Sequence, residues 1–156
     1  MGSGAKRKAI MEEQFVIEAQ NVKKFTRGLQ KPIVLLDDDD AQIRLVETCY
    51  KMSKRENQLI CFSQPDEFLK YMNGVLDGVN KKPELVLLDI NMPQKDGFEI
   101  LESIRSYNEF SEVPIVIMFT ASESLQDKTK SKKLGADGFF SKPTSFQDYI
   151  SFFQNI

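Results

Sequence analysis

The sequence predicts an α/β domain, a doubly wound five-stranded parallel sheet with helices on both faces, preceded by an N-terminal helical extension. Short apolar runs alternate five times with amphipathic stretches, as expected for parallel strands joined by helical crossovers. The first run is continuously apolar, which is typical of a strand covered on both faces. A length of 156 residues suits one domain with a sizeable core.

The predicted elements follow one another closely from residue 33 onward. The strands are predicted at Ile33–Leu36, Leu59–Phe62, Leu85–Leu88, 114–119 and 138–140. The helices are predicted at 41–52, from Pro65 onward, at 98–107, at 124–134 and at 145–153. Apolar residues at helical spacing support the first helix, and a proline suits the first turn of the second. Asp40 is predicted to cap the first helix.

The chain divides by charge near residue 31. Residues 1–32 carry seven Lys and Arg against three acids, whereas the rest carries fourteen against twenty. We therefore assign residues 1–30 to an N-terminal extension, whose MGSG start resembles a tag remnant, and residues 31–156 to the folded domain. Phe15 and Phe25 lie on an apolar seam that predicts a docked or self-associating basic helix. A frayed extension or leftover linker is the alternative.

Composition argues against several classes of protein. With 41% apolar residues, 28% charged residues and a net charge of -2, neither broad disorder nor a nucleic-acid partner is expected. No signal peptide and no apolar run of membrane-spanning length is present, so we expect a cytoplasmic protein without membrane contact. Cys49 and Cys61 lack metal or redox spacing and are expected to be buried free thiols.

Chemically versatile residues are predicted at the carboxyl ends of the strands, where ligands bind in a sheet of this type. Strand one runs into Asp37 and Asp38, strand three into Asp89, strand four ends at Thr120 and strand five precedes Lys142. Adjacent carboxylates resist burial unless a cation offsets their charge. Carboxylates suit Mg²⁺, lysine and threonine can bind a phosphoryl group, and an aspartate can be a phosphoryl nucleophile.

Four segments resemble the response-regulator receiver domain of two-component signalling, in the family's order and spacing from about Lys31 to the C-terminus. They are VLLDDDD, VLLDINMPQKDG, IVIMFTAS and GADGFFSKP. The resemblance implies a single-domain, CheY-like protein with a flavodoxin-like sheet in the strand order 2-1-3-4-5. It also implies that Asp89 accepts a phosphoryl group, with Mg²⁺, from a histidine kinase or a histidine phosphotransfer protein.

The resemblance further implies a set of metal ligands. Asp38 and Asp89 would bind Mg²⁺ directly, Asp37 would act largely through water, and Asn91 would offer its backbone carbonyl. Asn91 also occupies one of two positions that tune the phosphate lifetime in the family. The other is held by Ser122.

Catalytic and switch roles follow from the same resemblance. Asp89 would be the phosphoacceptor, Thr120 would contact the phosphoryl group and Lys142 would pair with it. Thr120 and Phe139 would form the switch, in which the aromatic ring turns inward as the threonine moves. Because Phe139 lacks the hydroxyl of the frequent tyrosine, packing must hold its inward position.

The implied output is protein contact rather than turnover of a small substrate, so the chain is not expected to be an enzyme. A downstream protein would bind the face of the fourth helix, fifth strand and fifth helix. Four lysines on the fourth helix are either its solvated face or an electrostatic guide for that partner: Lys128, Lys130, Lys132 and Lys133.

Two other interpretations of the site are open. A Mg²⁺-dependent phosphohydrolase with an aspartate nucleophile would need an acid or base, commonly an aspartate where this chain has Asn91. A degenerate receiver that only binds partners is disfavoured by the complete set of site residues. The chain contains no histidine, so a phosphohistidine donor must lie on another protein.

Overall fold

The computed structural model describes residues 31–156, and the predicted extension lies outside the described residues. Within 31–156, five strands alternate with five α-helices. The strands are β1 (Ile33–Leu36), β2 (Leu59–Phe62), β3 (Leu85–Leu88), β4 (Ile115–Thr120) and β5 (Gly138–Ser141). The helices are α1 (Asp40–Met52), α2 (Pro65–Leu76), α3 (Gly97–Arg105), α4 (Leu125–Lys133) and α5 (Phe146–Asn155), with a short 3-10 helix at Asn108–Phe110. None of these described helices is long and apolar enough to cross a membrane.

The five strands form one parallel sheet in the order β2-β1-β3-β4-β5, which confirms the predicted fold. Ile33 of β1 pairs with Leu59 on one side and Leu85 on the other. The chain therefore winds one way from β1 to β2 and the other way from β3 onward. In such a sheet a crevice opens at the carboxyl ends of β1 and β3, where the winding reverses.

Side chains of the central strands are buried on both faces of the sheet. Val34 and Leu36 belong to a cluster that includes residues of α2 and α3, whereas Ile33 and Leu35 pack with residues of α1 and α5. All four side chains are completely buried, and full burial of such a side chain stabilises the fold by about 1.5–3 kcal/mol. The strand ends that carry the polar residues are therefore held by a well-packed core.

Helix α1 begins one residue earlier than predicted, and its cap is Asp39 rather than Asp40. The Asp39 carboxylate accepts hydrogen bonds from the backbone N–H groups of Ala41 (3.0 Å) and Gln42 (3.3 Å). The predicted role of Asp40 is therefore wrong, since Asp40 is the first helical residue. The difference arises because the Asp39 N–H donates to the Asp37 carboxylate at 3.0 Å, which tightens the turn after β1.

The two cysteines differ in burial. Cys49 is buried as predicted, but Cys61 is only partly buried because it lies on β2, an edge strand of the sheet. Both are free thiols. Burial raises the pKa of Cys49, and burial together with Glu47 raises the pKa of Cys61 to about 12. Both thiols are therefore protonated and weakly nucleophilic at neutral pH.

A partly buried ion pair joins α3 to the segment before β5. The Arg105 guanidinium, 9% exposed, lies 2.8 Å from Asp137 Oδ2, which also accepts a hydrogen bond from the Val116 N–H at 2.8 Å. Three carbonyl groups accept the remaining Arg105 hydrogen bonds, those of Phe110, Pro114 and Gly135. Burial raises the pKa of Asp137 and lowers that of Arg105, while their attraction opposes both shifts. The pair therefore holds the C-terminal end of α3 against the N-terminal ends of β4 and β5.

Replacing Asp137 by alanine should destabilise the domain strongly, because it leaves the Arg105 charge and the Val116 N–H without a carboxylate. We expect Asp137→Ala to lower the free energy of unfolding by about 2–4 kcal/mol in urea denaturation. The matched control is Asp66→Ala, which removes an exposed ion pair with Lys95 and should cost less than about 1 kcal/mol. Equal losses in the two variants would contradict this interpretation.

Candidate functional site

Three carboxylates meet in the crevice between β1 and β3. Asp37 and Asp38 directly follow β1, and Asp89 directly follows β3. One oxygen from each lies within 4.8 Å of the others, with Asp37 and Asp89 buried and Asp38 exposed. The structure therefore brings together the three aspartates that the sequence predicted as metal ligands.

Lys142 extends to this cluster from the end of β5, which is separated from β3 by β4. It follows β5, where its backbone N–H donates to the Thr120 carbonyl at 2.8 Å. Its Nζ lies 2.6 Å from Asp37 Oδ2 and 3.5 Å from Asp89 Oδ2. Burial alone would lower the pKa of Lys142, but the hydrogen bond to Asp37 and the negative charge of Asp89 outweigh it, so the pKa is raised. Lys142 is therefore a firmly charged ammonium between two carboxylates.

Thr120 places a hydroxyl beside Asp89. It is the last residue of β4 and is completely buried, and its hydroxyl is close enough to the Asp89 carboxylate to lower the pKa of that group. Burial raises the pKa of Asp89, the Asp37 charge adds to that rise, and Lys142 and Thr120 oppose it. Burial and Asp37 thus disfavour the negative charge of Asp89, whereas Lys142 and Thr120 stabilise it.

The net charge of the cluster is one that a divalent cation would neutralise. Three carboxylates against one ammonium give an excess of two negative charges when all are ionised. Burying such an excess is costly unless a cation offsets it. The donors are all oxygens, and oxygen donors suit Mg²⁺, which keeps several waters when one or two carboxylates bind it. The residues present therefore fit this ion.

A cleft of about 140 Å³ opens beside Asp38. Its remaining lining residues are Ser63, Gln64, Pro65, Met92, Pro93 and Gln94. These residues belong to the loops after β2 and β3 and to the start of α2. The exposed edge of the carboxylate cluster is therefore reachable from the surface.

Two further predicted residues lie near the cluster in different ways. Asn91 is exposed in the loop two residues after Asp89, and the role of its carbonyl stays a prediction. Phe139 lies on β5 with its ring completely buried in the core, 5.8 Å from the Lys128 ammonium. The ring therefore lies inward in this structure, and its switch role also stays a prediction.

Sequence analysis missed a second polar layer behind Lys142. The Gln42 side-chain amide donates to the Tyr149 hydroxyl, and Tyr149 is close enough to Lys142 for each to shift the other's pKa. These residues lie on α1 and α5, which are far apart in the chain. No local sequence pattern predicts the contact between Gln42 and Tyr149.

The chain resembles receiver domains in both sequence and structure. The response regulator receiver domain model matches residues 33–153. Response regulator Rcp1 of Synechocystis sp. is 29% identical over 127 residues, which cover 81% of this chain and 86% of Rcp1. PhoP of Bacillus subtilis, an alkaline phosphatase synthesis transcriptional regulatory protein, is 30% identical over 117 residues, 75% of this chain. This match spans only 44% of PhoP, so the chain is similar to less than half of that regulator.

Solved structures agree with the sequence comparison. The Mn²⁺-bound form of Rcp1 superposes with a TM-score of 0.68 at 27% identity, covering 81% of this chain and 91% of that one. Response regulator RPA3017, in red light signalling of R. palustris, gives a TM-score of 0.69 at 26% identity, covering 79% and 89%. From the family match over residues 33–153, the fold and the carboxylate cluster, we conclude that the chain belongs to the response regulator receiver domain family.

Proposed function

We propose that the chain is the phosphoacceptor of a two-component phosphorelay and that Asp89 takes the phosphoryl group from a phosphohistidine on another protein. The donor is a histidine kinase or a histidine phosphotransfer protein. The observation that carries the proposal is the meeting of Asp89 with Lys142, Thr120 and the Asp37–Asp38 pair in one crevice. The 156 residues contain no histidine, so the donor phosphohistidine would lie outside them.

The transfer is a displacement at phosphorus. An Asp89 carboxylate oxygen forms the new O–P bond, the P–N bond to the donor imidazole breaks, and the imidazole leaves with the bonding electron pair. Lys142, already 3.5 Å from Asp89 Oδ2, pairs with a phosphoryl oxygen, and the Thr120 hydroxyl donates to another. Because such a reaction needs little covalent help from the protein, positioning and charge stabilisation carry the catalysis.

The metal ligands are the carboxylates of the crevice. Asp38 and Asp89 would bind Mg²⁺ directly, Asp37 would act through water, and Asn91 would supply its backbone carbonyl. Bound Mg²⁺ supplies positive charge that offsets the carboxylates and the phosphoryl oxygens. The oxygen-only donor set and the excess negative charge support this assignment.

The output is contact with a downstream protein. Phosphorylation shifts the equilibrium of Thr120 and Phe139, and the face formed by α4, β5 and α5 responds. The lysines of α4 give this face a positive charge that suits an acidic partner surface. We also propose that residues 1–30 are an extension of the domain that mediates self-association.

The phosphohydrolase alternative is not favoured. It requires an acid or base two residues after the nucleophile, and the residue there is Asn91. Membership of the receiver domain family, whose proteins act in signalling, also argues against it.

The backbone behind Asp89 is packed against the start of α3. The Gly97 N–H donates to the Ile90 carbonyl at 2.8 Å. A Cβ on Gly97 would lie only 2.2 Å from the Asp89 carbonyl oxygen and 2.9 Å from the Ile90 Cα. Since both obstacles are backbone atoms, any side chain at this position must displace the acceptor residue itself.

Asp89→Asn should abolish Mg²⁺-dependent labelling by acetyl phosphate, because the amide is not a competent phosphoryl nucleophile. Labelling is followed by the mass of the intact chain. The control is Asp39→Asn, which alters the α1 cap outside the cluster and should label at close to the wild-type rate. Full labelling of Asp89→Asn would refute the acceptor assignment.

Gly97→Ala should slow the same labelling by at least about tenfold, since misplacing a reacting group by about 1 Å can cost 100-fold. Gly78→Asn is the control, because Gly78 has open space around it and a positive φ that asparagine tolerates. Circular dichroism verifies that both variants fold. A Gly97→Ala protein that folds and labels at the wild-type rate would contradict the close packing behind Asp89.

A further inference from the structure

Helix α4 is attached to the domain in an unusual way. Its sequence, LQDKTKSKK, has a single apolar residue, Leu125, which is 77% exposed. Within this fully described helix, Ser131 is the one buried residue. Two lysines lie over aromatic rings, Lys130 over Phe98 at 4.4 Å and Lys128 over Phe139 at 5.8 Å. Because apolar packing does not anchor α4, its position depends on polar contacts.

Asp127 is the centre of those polar contacts. Its backbone N–H donates to Ser124 Oγ at 3.4 Å, and its backbone carbonyl accepts from Ser131 Oγ at 2.6 Å. Its carboxylate makes a different contact, since Oδ2 accepts a hydrogen bond from Ser122 Oγ at 2.5 Å. Of these three contacts, only the one with Ser122 uses the Asp127 side chain. It connects α4 to the loop that follows β4.

Ser122 connects this contact to the candidate site. Its backbone N–H donates to Thr120 Oγ1 at 3.3 Å. A hydroxyl oxygen that accepts a hydrogen bond on one side directs its own hydrogen elsewhere, and the Thr120 hydroxyl is close enough to the Asp89 carboxylate to lower its pKa. Two hydrogen bonds therefore link the Asp127 carboxylate through Ser122 to the Thr120 hydroxyl, which lies beside Asp89.

We propose that Asp127 is a positioning residue for phosphotransfer, which holds Ser122 so that the Thr120 hydroxyl stays directed at Asp89. This inference rests on the proposed function of Asp89. A charged acceptor makes a stronger hydrogen bond than a neutral one, so the carboxylate favours one loop conformation. When the hydrogen bond between Ser122 and Asp127 breaks, the loop after β4 and the Thr120 side chain can both change conformation.

The contact is separable from the capping of α4. Capping uses the Ser124 hydroxyl and the Asp127 backbone, which remain after the carboxylate is removed. Asp127→Asn keeps an acceptor oxygen for Ser122, whereas Asp127→Ala removes it. Ser131→Ala removes the hydroxyl that donates to the Asp127 carbonyl without touching Ser122. These variants distinguish the positioning role from a general effect on the helix.

The first test measures the rate of acetyl phosphate labelling in the full chain with Mg²⁺. Loss of a hydrogen bond worth about 1 kcal/mol corresponds to about fivefold, so Asp127→Ala and Ser122→Ala should each label about fivefold more slowly. The double variant should be no slower than either single variant. Asp127→Asn should recover most of the rate, and Ser131→Ala should stay within about twofold of wild type.

The second test does not depend on phosphorylation. Side-chain coupling constants of Thr120, measured by NMR in the unphosphorylated chain, should report one rotamer in wild type and Asp127→Asn, and averaged rotamers in Asp127→Ala. Unchanged Thr120 couplings in Asp127→Ala would overturn the proposal, as would equal slowing by Ser131→Ala or no rescue by Asp127→Asn. Persistent labelling of Asp89→Asn would instead defeat the proposed function, and the Thr120 couplings would then decide the link to Asp127.

Discussion

The arrangement depends on one buried ammonium group. Lys142 lies between Asp37 and Asp89, at 2.6 and 3.5 Å from their carboxylates. Without it, the buried carboxylates would face each other uncompensated, a state that a protein interior does not tolerate. The contact also spans the sheet, because it joins the segment after β5 to the segments after β1 and β3. One ion pair thus fixes the geometry of the crevice and leaves an unbalanced negative charge for a cation.

Helices α3 and α4 are held by opposite means. At its start α3 is bonded to the chain just after Asp89 through Gly97, and at its end Arg105 is locked to Asp137. Helix α4 has no comparable apolar or ionic anchor among the described residues and is held by hydrogen bonds and lysine–aromatic contacts. In the proposed function, a phosphoryl group on Asp89 would therefore act between a helix with apolar and ionic anchors and a helix held mainly by polar contacts. This asymmetry suits a domain that converts local chemistry into a change of surface.

Sequence patterns predicted the parts of the structure that depend on local order. Continuous apolar runs gave the strands within one residue of their ends, and the polar residues just after them, Asp37, Asp89 and Lys142, meet because parallel strands share one edge. The missed features depend on specific hydrogen bonds and ion pairs between polar side chains, either across the chain or within a single turn. Arg105 pairs with Asp137 across 32 residues, and the cap falls on Asp39 because Asp37 tightens the turn. Hydrophobic periodicity contains no information on such pairings.

Magnesium binding tests whether the crevice holds an excess of negative charge arranged for a divalent cation. Calorimetric titration of the full chain should give a single Mg²⁺ site that is weakened by either Asp38→Asn or Asp89→Asn. At free Mg²⁺ of about ten times the dissociation constant, unfolding should become less favourable by about 1.4 kcal/mol. A chain that binds no Mg²⁺ at millimolar concentration, or binds it equally well after both substitutions, would show that the crevice is not arranged for this ion.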